Sequence, residues 1–198
     1  MGRKHREERR EKREDFVVKR SHQKRKNTLL AVGILGLIGI IIGYASFTFI
    51  TMDSNAPGTP PGAGKLGDEH EHASMLVRIF GDKFDFSATT YQIKSSWIHF
   101  EESDGNTIHR HSSGITLGYL FETLSIGIDE NCYIFSDGRQ FCTNEDYSLK
   151  YFINGDSVNS INDHVVQDDD RILISYGGET KEQITEQLNE LYSQIIRD

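Results

Sequence analysis

The chain has 198 residues, a net charge of −8 and two cysteines. Its charge is divided unevenly: residues 1–28 hold twelve Lys or Arg and five Asp or Glu, which makes them +7 and leaves −15 for residues 29–198. The acidic residues within this basic stub argue against nucleic-acid binding, so we expect no nucleic acid among the partners. The acidic remainder favours cations or basic partners.

Residues 29–50, LLAVGILGLIGIIIGYASFTFI, form an apolar run without a charged residue. At about 1.5 Å per residue, a helix of this length spans a hydrocarbon core of about 30 Å. A cleaved signal peptide would have a shorter apolar region with a small-residue cleavage site after it, whereas Ala45 and Ser46 lie inside the run. We therefore predict one uncleaved transmembrane helix in the lipid bilayer.

The basic stub determines the expected orientation. Lys and Arg that flank a membrane span remain cytoplasmic, so residues 1–28 are predicted to be cytoplasmic and the rest extracytoplasmic at the cell membrane. Residues 51–69 contain all three prolines and predict a flexible linker. The remainder is long enough for one domain and not for two, which we place at residues 70–178, followed by a C-terminal amphipathic helix at 179–198.

The two cysteines, Cys132 and Cys142, flank the run YIFSDGRQF. A three-residue loop at 136–138 would make this run a hairpin and place the cysteines opposite each other, within disulfide distance. In an oxidising compartment they are predicted to be joined. Catalytic dithiols generally use Cys-x-x-Cys, so this spacing indicates a structural disulfide.

The rest of the domain has the periodicity of a mixed α+β fold. The predicted elements are strands at 74–86 (two, joined by a turn), 96–102, 106–111, 147–154 and 171–176, and a helix at 116–124. This order predicts an open mixed sheet with one helix crossing a face, and with the last strand parallel to the first.

The runs SLKYFINGDSV and VVQDDDRILISYGG resemble the second half of a β-grasp domain. The resemblance covers residues 96–178 and is closest to the extracytoplasmic group that includes transcobalamin C-terminal-like domains, which implies a β-grasp-like sheet. The whole architecture is also similar to small archaeal-type membrane-anchored proteins, some of them labelled protein-disulfide isomerase. Ubiquitin-like sulfur carriers end in Gly-Gly, but Gly177 and Gly178 are followed by twenty residues here.

The last helix is predicted from a capping-box spacing at Thr180 and Gln183. One narrow apolar stripe follows, formed by Ile184, Leu188, Leu191 and Ile195. Two interpretations remain open. The stripe can pack on the helix's own domain, or it can form a coiled coil with a second copy or another protein partner.

The histidines give the most specific functional hypothesis. If Ser103-Asp104-Gly105 is a three-residue hairpin loop, His99 lies opposite His109, and Trp97 lies opposite His111. Side chains alternate along a strand, so His111 shares the face of the other two histidines. Three imidazoles would then converge on one patch of the sheet.

A two-residue turn at Asp104-Gly105 is the alternative. It would shift the register by one, pair His99 with Arg110 and divide the histidines between the two faces. The alternation of Ile98, Phe100 and Ile108 on one apolar face favours the three-residue loop.

Imidazole groups in this arrangement suit a transition metal, and we expect Cu or Zn. The predicted ligands are His99, His109 and His111, with His70 and His72 added from the mouth of the linker. The alternative is an exposed polar or pH-sensitive surface, with His70 and His72 in the linker.

We find no Ser–His–Asp spacing, HExxH motif, P-loop or EF-hand loop, and we assign no catalytic residue. The sequence therefore predicts a membrane-anchored binding module rather than an enzyme. The alternative function is a thiol–disulfide isomerase or oxidoreductase, which follows from the label of the similar proteins.

Overall fold

The computed structural model describes residues 2–51 and 58–197 of the chain. Two compact units, Met1–Met52 and Asp53–Asp198, are described separately. In the first unit, helix α1 spans Gly2–Thr51, and within it Gln23–Thr48 is long and apolar enough to cross a membrane. The helix also includes the basic stub, because Lys, Arg and Glu are good helix formers.

The second unit is a mixed α+β domain, as predicted. Its main sheet has seven strands, which are β1 (Glu71–Ile79), β2 (Asp82–Lys83), β3 (Ile98–His99), β4 (Thr107–Arg110), β8 (Ser148–Ile153), β9 (Asp156–Val158) and β10 (Arg171–Gly177). A smaller sheet contains β5 (Gly127–Ile128), β6 (Cys132–Ile134) and β7 (Gln140–Cys142). The helices of this unit are α2 (Leu117–Thr123) and α3 (Lys181–Ser193), with a short 3₁₀ turn at Thr89–Tyr91.

The main sheet has the order β3-β4-β1-β10-β8-β9, with β2 attached to β1. The first and last strands, β1 and β10, are parallel neighbours at its centre, which confirms the prediction. The other pairs along this order are antiparallel. The central strands β1 and β10 are buried on both faces of the sheet, and their sequences are for this reason almost continuously apolar.

One face of the sheet carries the main core. Alternate residues of β1, Ala73, Met75 and Val77, pack there with apolar side chains of β10 and with Leu120 and Phe121 of α2. Thr116 caps α2: its Oγ1 accepts a hydrogen bond from the backbone N–H of Tyr119 at 3.3 Å. Ile98, Phe100 and Ile108 are fully buried on this same face.

The opposite face carries α3. Leu191 of α3 packs on Leu76 and Leu173, and all three side chains are buried. The predicted capping box is present, with Thr180 and Gln183 bonded to each other's backbone N–H. In the apolar stripe, Ile184, Leu188 and Leu191 are buried or partly buried, whereas Ile195 lies beyond the helix and is 80% exposed.

The cysteine hairpin has the predicted register. Cys132 pairs with Cys142 across β6 and β7, and the two form a disulfide. The loop is closed by the Phe135 N–H, which donates to the Arg139 carbonyl at 2.9 Å. Tyr133 is fully buried, so the hairpin is attached to the core by an aromatic side chain as well as cross-linked.

Three features differ from the expectations. Strand β9 was not predicted, although Asn154-Gly155, both with positive φ, forms the tight turn before it. Strand β5, which begins at Gly127 shortly after α2, was not predicted either. Residues 60–68, expected in a flexible linker, make backbone hydrogen bonds along the domain, including Gly64 N–H to the Ser113 carbonyl at 2.8 Å.

Candidate metal centre

Five histidines lie on the sheet face against which α3 packs, on the side formed by β1, β4 and β3. His72, His109 and His99 are directly opposite one another on these three neighbouring strands. His70 lies just before β1 and His111 just after β4, two residues from His72 and His109 respectively, and the alternation of side chains places them on the same face. The predicted convergence of imidazoles is therefore present, and it includes His70 and His72.

The five imidazoles form a closed ring of neighbours. Going round it, the ring centroids are separated by 4.6 Å (His70–His72), 4.8 Å (His72–His109), 6.1 Å (His109–His99), 4.9 Å (His99–His111) and 4.5 Å (His111–His70). We call this group the histidine ring. Its widest gap separates His99 from His109.

The histidine ring is largely enclosed. His72, His99 and His109 are buried, His111 is partly buried, and His70 is exposed at the rim. Imidazoles on an open polar surface would not lose this much contact with water. The alternative of a simple solvated surface therefore fits His70 alone.

The backbone around the ring is held by several hydrogen bonds. The His72 N–H donates to Asp168 Oδ1 at 3.1 Å, and the His111 N–H donates to the Trp97 carbonyl at 2.8 Å. The Gly67 N–H donates to the His111 carbonyl at 2.6 Å. Next to His70, the carboxylate of Glu69 pairs with the buried guanidinium of Arg110. These bonds position the imidazoles before any ligand arrives.

His70, His72 and His109 form a group that can hold a metal ion. Each offers one ring nitrogen, and these atoms all lie within 4.8 Å of one another. A tetrahedral Zn²⁺ with Zn–N bonds of about 2.0–2.1 Å needs nitrogens separated by about 3.4 Å, so the group has to tighten on binding. His70 can supply this movement, because it is exposed and lies just before the first residue of β1.

Glu101 lies at the widest gap of the histidine ring. Its Oε2 is 3.2 Å from Nε2 of His99, and its Oε1 is 3.4 Å from Nδ1 of His109. Nδ1 of His99 is 2.7 Å from the carbonyl oxygen of Ser95. A carbonyl only accepts, so Nδ1 carries the hydrogen and Nε2 is directed towards the carboxylate. An imidazole held this way by a backbone carbonyl is the usual arrangement of a metal ligand.

The electrostatics of the ring favour neutral imidazoles. Burial, together with the neighbouring imidazoles of His99, His70 and His109, lowers the pKa of His111 to about 4. Burial likewise lowers the pKa of His109, although the carboxylate of Glu101 acts in the opposite direction. Metal ligation requires imidazole in its neutral form, so these two residues are in the binding state at neutral pH.

Partial burial of Glu101 opposes its ionisation. The hydrogen bond with His99 and the positive charges of His109, His99 and His111 in their protonated forms outweigh this effect, and the pKa of the carboxyl is lowered. Glu101 is therefore an anion at neutral pH and attracts a cation to the ring.

The remaining predicted site residues lie elsewhere. Cys132 and Cys142 belong to the smaller sheet and contribute nothing to the histidine ring. The sixth histidine of the domain, His164, forms a separate pair with Asp170 through a 2.7 Å contact between Nε2 and Oδ2. That pair orders the turn before β10, because Asp170 Oδ2 also accepts from the Gln167 N–H.

Sequence reasoning did not assign a role to Glu101. The signal was available, since His99-Phe100-Glu101 alternates and Phe100 was already expected on the core face. The same alternation that groups His109 with His111 places Glu101 beside His99. The carbonyl of Ser95 could not be inferred, because it reaches His99 through an irregular segment.

Comparison of the chain with protein-family models, with curated proteins and with solved structures gives no match. The geometry of the histidine ring is therefore the main guide to function.

Proposed function

We propose that this chain is a single-pass membrane protein that holds a transition metal ion outside the cytoplasm, on the histidine ring of its second unit. The observation that carries the proposal is the convergence of ring nitrogens of His70, His72 and His109 within 4.8 Å. Binding rather than catalysis is proposed, because the sequence contains none of the common catalytic motifs.

The donor set favours Cu²⁺ or Zn²⁺. Imidazole nitrogen suits Cu, Zn and Ni, whereas Mg²⁺ and Ca²⁺ require oxygen ligands. Thiolate ligation is not available, because both cysteines of the chain are joined in the disulfide. The net charge of −15 on residues 29–198 favours attraction of a cation to this part of the chain.

Membrane attachment is proposed through α1. The supporting observations are the apolar stretch Gln23–Thr48 and the charge of +7 on residues 1–28. Under the positive-inside rule, the stub faces the cytoplasm and the histidine ring faces out. The lipid bilayer is then the first partner. Ile195 is exposed and available to a protein partner or to a second copy of the chain, whereas Leu188 and Leu191 of the C-terminal stripe pack on the sheet.

A relation to β-grasp domains is part of the proposal. What supports it is the central parallel pair β1–β10, with β8 antiparallel to β10 and α2 on one face. The resemblance of residues 148–178 to the second half of such a domain points the same way. In this view the histidines are an addition to the face that carries α3.

The proposal is tested by titrating Zn²⁺ and Cu²⁺ into the full chain in detergent micelles, after removal of metal with a chelator. We expect binding at micromolar metal or below for the wild type and a loss of at least tenfold in affinity for His72→Gln. His72 is suited to this test because it is buried in a central strand, between its neighbours His70 and His109.

His164→Gln is the matched control. It removes a domain histidine that lies outside the ring and pairs with Asp170, so metal affinity should be unchanged. Circular dichroism of the metal-free proteins confirms that each variant is folded. Absence of binding in the wild type, or equal loss in both variants, contradicts the proposal.

A further inference from the structure

The histidine ring contains more ligands than one ion needs. A tetrahedral ion takes three or four protein ligands, and His70, His72 and His109 already form such a group. His99 and His111 remain, with their ring centroids 4.9 Å apart, and Glu101 lies beside His99. Of these three residues, His99 is buried, His111 and Glu101 are partly buried, and none belongs to the first group.

The contact between His99 and Glu101 is favourable only with a positive charge between the two groups. The Ser95 carbonyl holds the hydrogen of His99 on Nδ1, so a neutral imidazole directs the lone pair of Nε2 at the carboxylate. Two electron pairs 3.2 Å apart repel each other unless a positive charge lies between them. A metal ion bound by both groups would supply that charge.

The separation matches that of two ligands of one metal ion. With metal–nitrogen and metal–oxygen bonds of about 2.0–2.2 Å and a tetrahedral angle, the two donor atoms lie about 3.3–3.5 Å apart. Nε2 of His99 and Oε2 of Glu101 are 3.2 Å apart. This pair therefore needs almost no movement to bind an ion, in contrast to His70, His72 and His109.

Glu101 also connects the two groups. Its second oxygen, Oε1, is 3.4 Å from Nδ1 of His109, which belongs to the first group. A carboxylate between two groups of imidazoles is a common way to hold two ions close together, and such ions lie about 3.5–4 Å apart.

We propose that His99, His111 and Glu101 bind a second divalent transition metal ion, so that the histidine ring is a dinuclear centre. The inference rests on the proposed function, because it places the second ion beside the one at His70, His72 and His109. The first ion has three imidazole ligands, to which Oε1 of Glu101 can be added, and the second ion has three protein ligands, which leaves it one position for water or an anion. The carboxylate and the acidic domain offset part of the added charge.

The test is the stoichiometry of Zn²⁺ binding to the full chain in detergent micelles, measured by calorimetry and by metal content after gel filtration. We expect two equivalents for the wild type and one for Glu101→Gln and for His99→Gln. The double variant His72→Gln/His99→Gln should bind neither ion. Glu102→Gln is the matched control: it changes the neighbouring, exposed carboxylate and should retain two equivalents.

Cu²⁺ provides a second readout. Electron paramagnetic resonance of the wild type should show an isolated-ion signal at one equivalent. The signal should be weakened at two equivalents, because ions this close couple magnetically. In Glu101→Gln the signal should saturate at one equivalent without this weakening.

The outcomes separate the two proposals. No binding in the wild type contradicts both. One equivalent in the wild type contradicts the dinuclear centre and leaves the proposed function standing. Two equivalents that persist in both Glu101→Gln and His99→Gln contradict the ligand assignment made here.

Discussion

At the scale of single residues, the buried imidazoles of the histidine ring make the stability of the domain depend on pH. The pKa of His111 is lowered to about 4 and that of His109 is also lowered, in both cases chiefly by burial. An unfolded chain has histidines with a pKa of about 6.5. Between about pH 6.5 and 4 the unfolded chain therefore binds protons that the native domain does not, and stability falls as the pH is lowered.

We predict that the metal-free protein is less stable at pH 5 than at pH 7. His111 alone should contribute a loss on the order of 1–2 kcal/mol, after allowance for solvent screening. The lowered pKa of Glu101 adds a loss in the same direction below about pH 4.5. The measurement is urea unfolding in the presence of chelator, followed by the fluorescence of Trp97, the single tryptophan of the chain.

His111→Gln is the informative variant for this prediction. It removes one titrating imidazole from the ring, so its unfolding free energy should depend less steeply on pH than that of the wild type. A slope equal to that of the wild type would show that His111 is not the source of the pH dependence.

At the scale of elements, the register of β3 and β4 decides whether His99 joins the other histidines on their face of the sheet. His99 pairs with His109 as predicted, but the connection is not the expected three-residue loop. It runs over residues 100–106, and Glu102 and Ser103 have positive φ. The register is retained because Ile98 and Ile108 are fully buried on the core face, and a slip of one residue would expose both.

The longer loop is explained by contacts with a distant segment. The side chain of Gln92 donates to the carbonyls of Phe86 and Asp104 and accepts from the Ser103 N–H. A Cβ atom at position 105 would lie 2.5 Å from the backbone nitrogen of Ser87, so only glycine allows the two segments to approach this closely. Such contacts are not encoded in the local pattern of a hairpin.

The cysteine hairpin is an element with a purely structural role, and this gives a prediction that separates the two functional hypotheses. The variant Cys132→Ser/Cys142→Ser should lose about 2–3 kcal/mol of unfolding free energy, the value for a short closed loop. The buried Tyr133 keeps the hairpin attached, so the variant should still fold. Unfolding in urea at neutral pH measures the loss.

The same variant should bind metal as the wild type does, because the cysteines lie in the smaller sheet and the histidines in the main one. Neither protein should renature a substrate with scrambled disulfides. Turnover of such a substrate by the wild type and its loss in the variant would instead support the thiol–disulfide isomerase alternative.

At the scale of the whole molecule, the functional question is on which side of a membrane the histidine ring lies. We predict that a cysteine introduced as Asn159→Cys reacts with a membrane-impermeant maleimide on intact cells and that Arg20→Cys does not. Both side chains are exposed, and the native cysteines do not react because they form the disulfide. The opposite pattern of labelling would place the domain that carries the histidine ring in the cytoplasm.

Much of this protein was determined by its sequence alone. The apolar run, the capped helices α2 and α3, the parallel pair β1–β10 and the Cys132–Cys142 pairing were all predicted from it. The apolar run, the helix caps and the cysteine pairing depend on local causes: hydrophobic length, a capping side chain or the geometry of a short loop. A local signal of this kind is complete within about twenty residues of chain. The parallel pair β1–β10 joins distant segments and was predicted from the order of the elements.

The tertiary structure decided how the histidines are grouped. Pairing of β1 with β4 places His70 and His72, separated from the others by more than 25 residues, in the ring, and it buries His72 and His109. The Ser95 carbonyl and Glu101 then orient His99. These are contacts between residues distant along the chain or joined by irregular backbone, and their geometry depends on how the whole sheet packs rather than on any local periodicity.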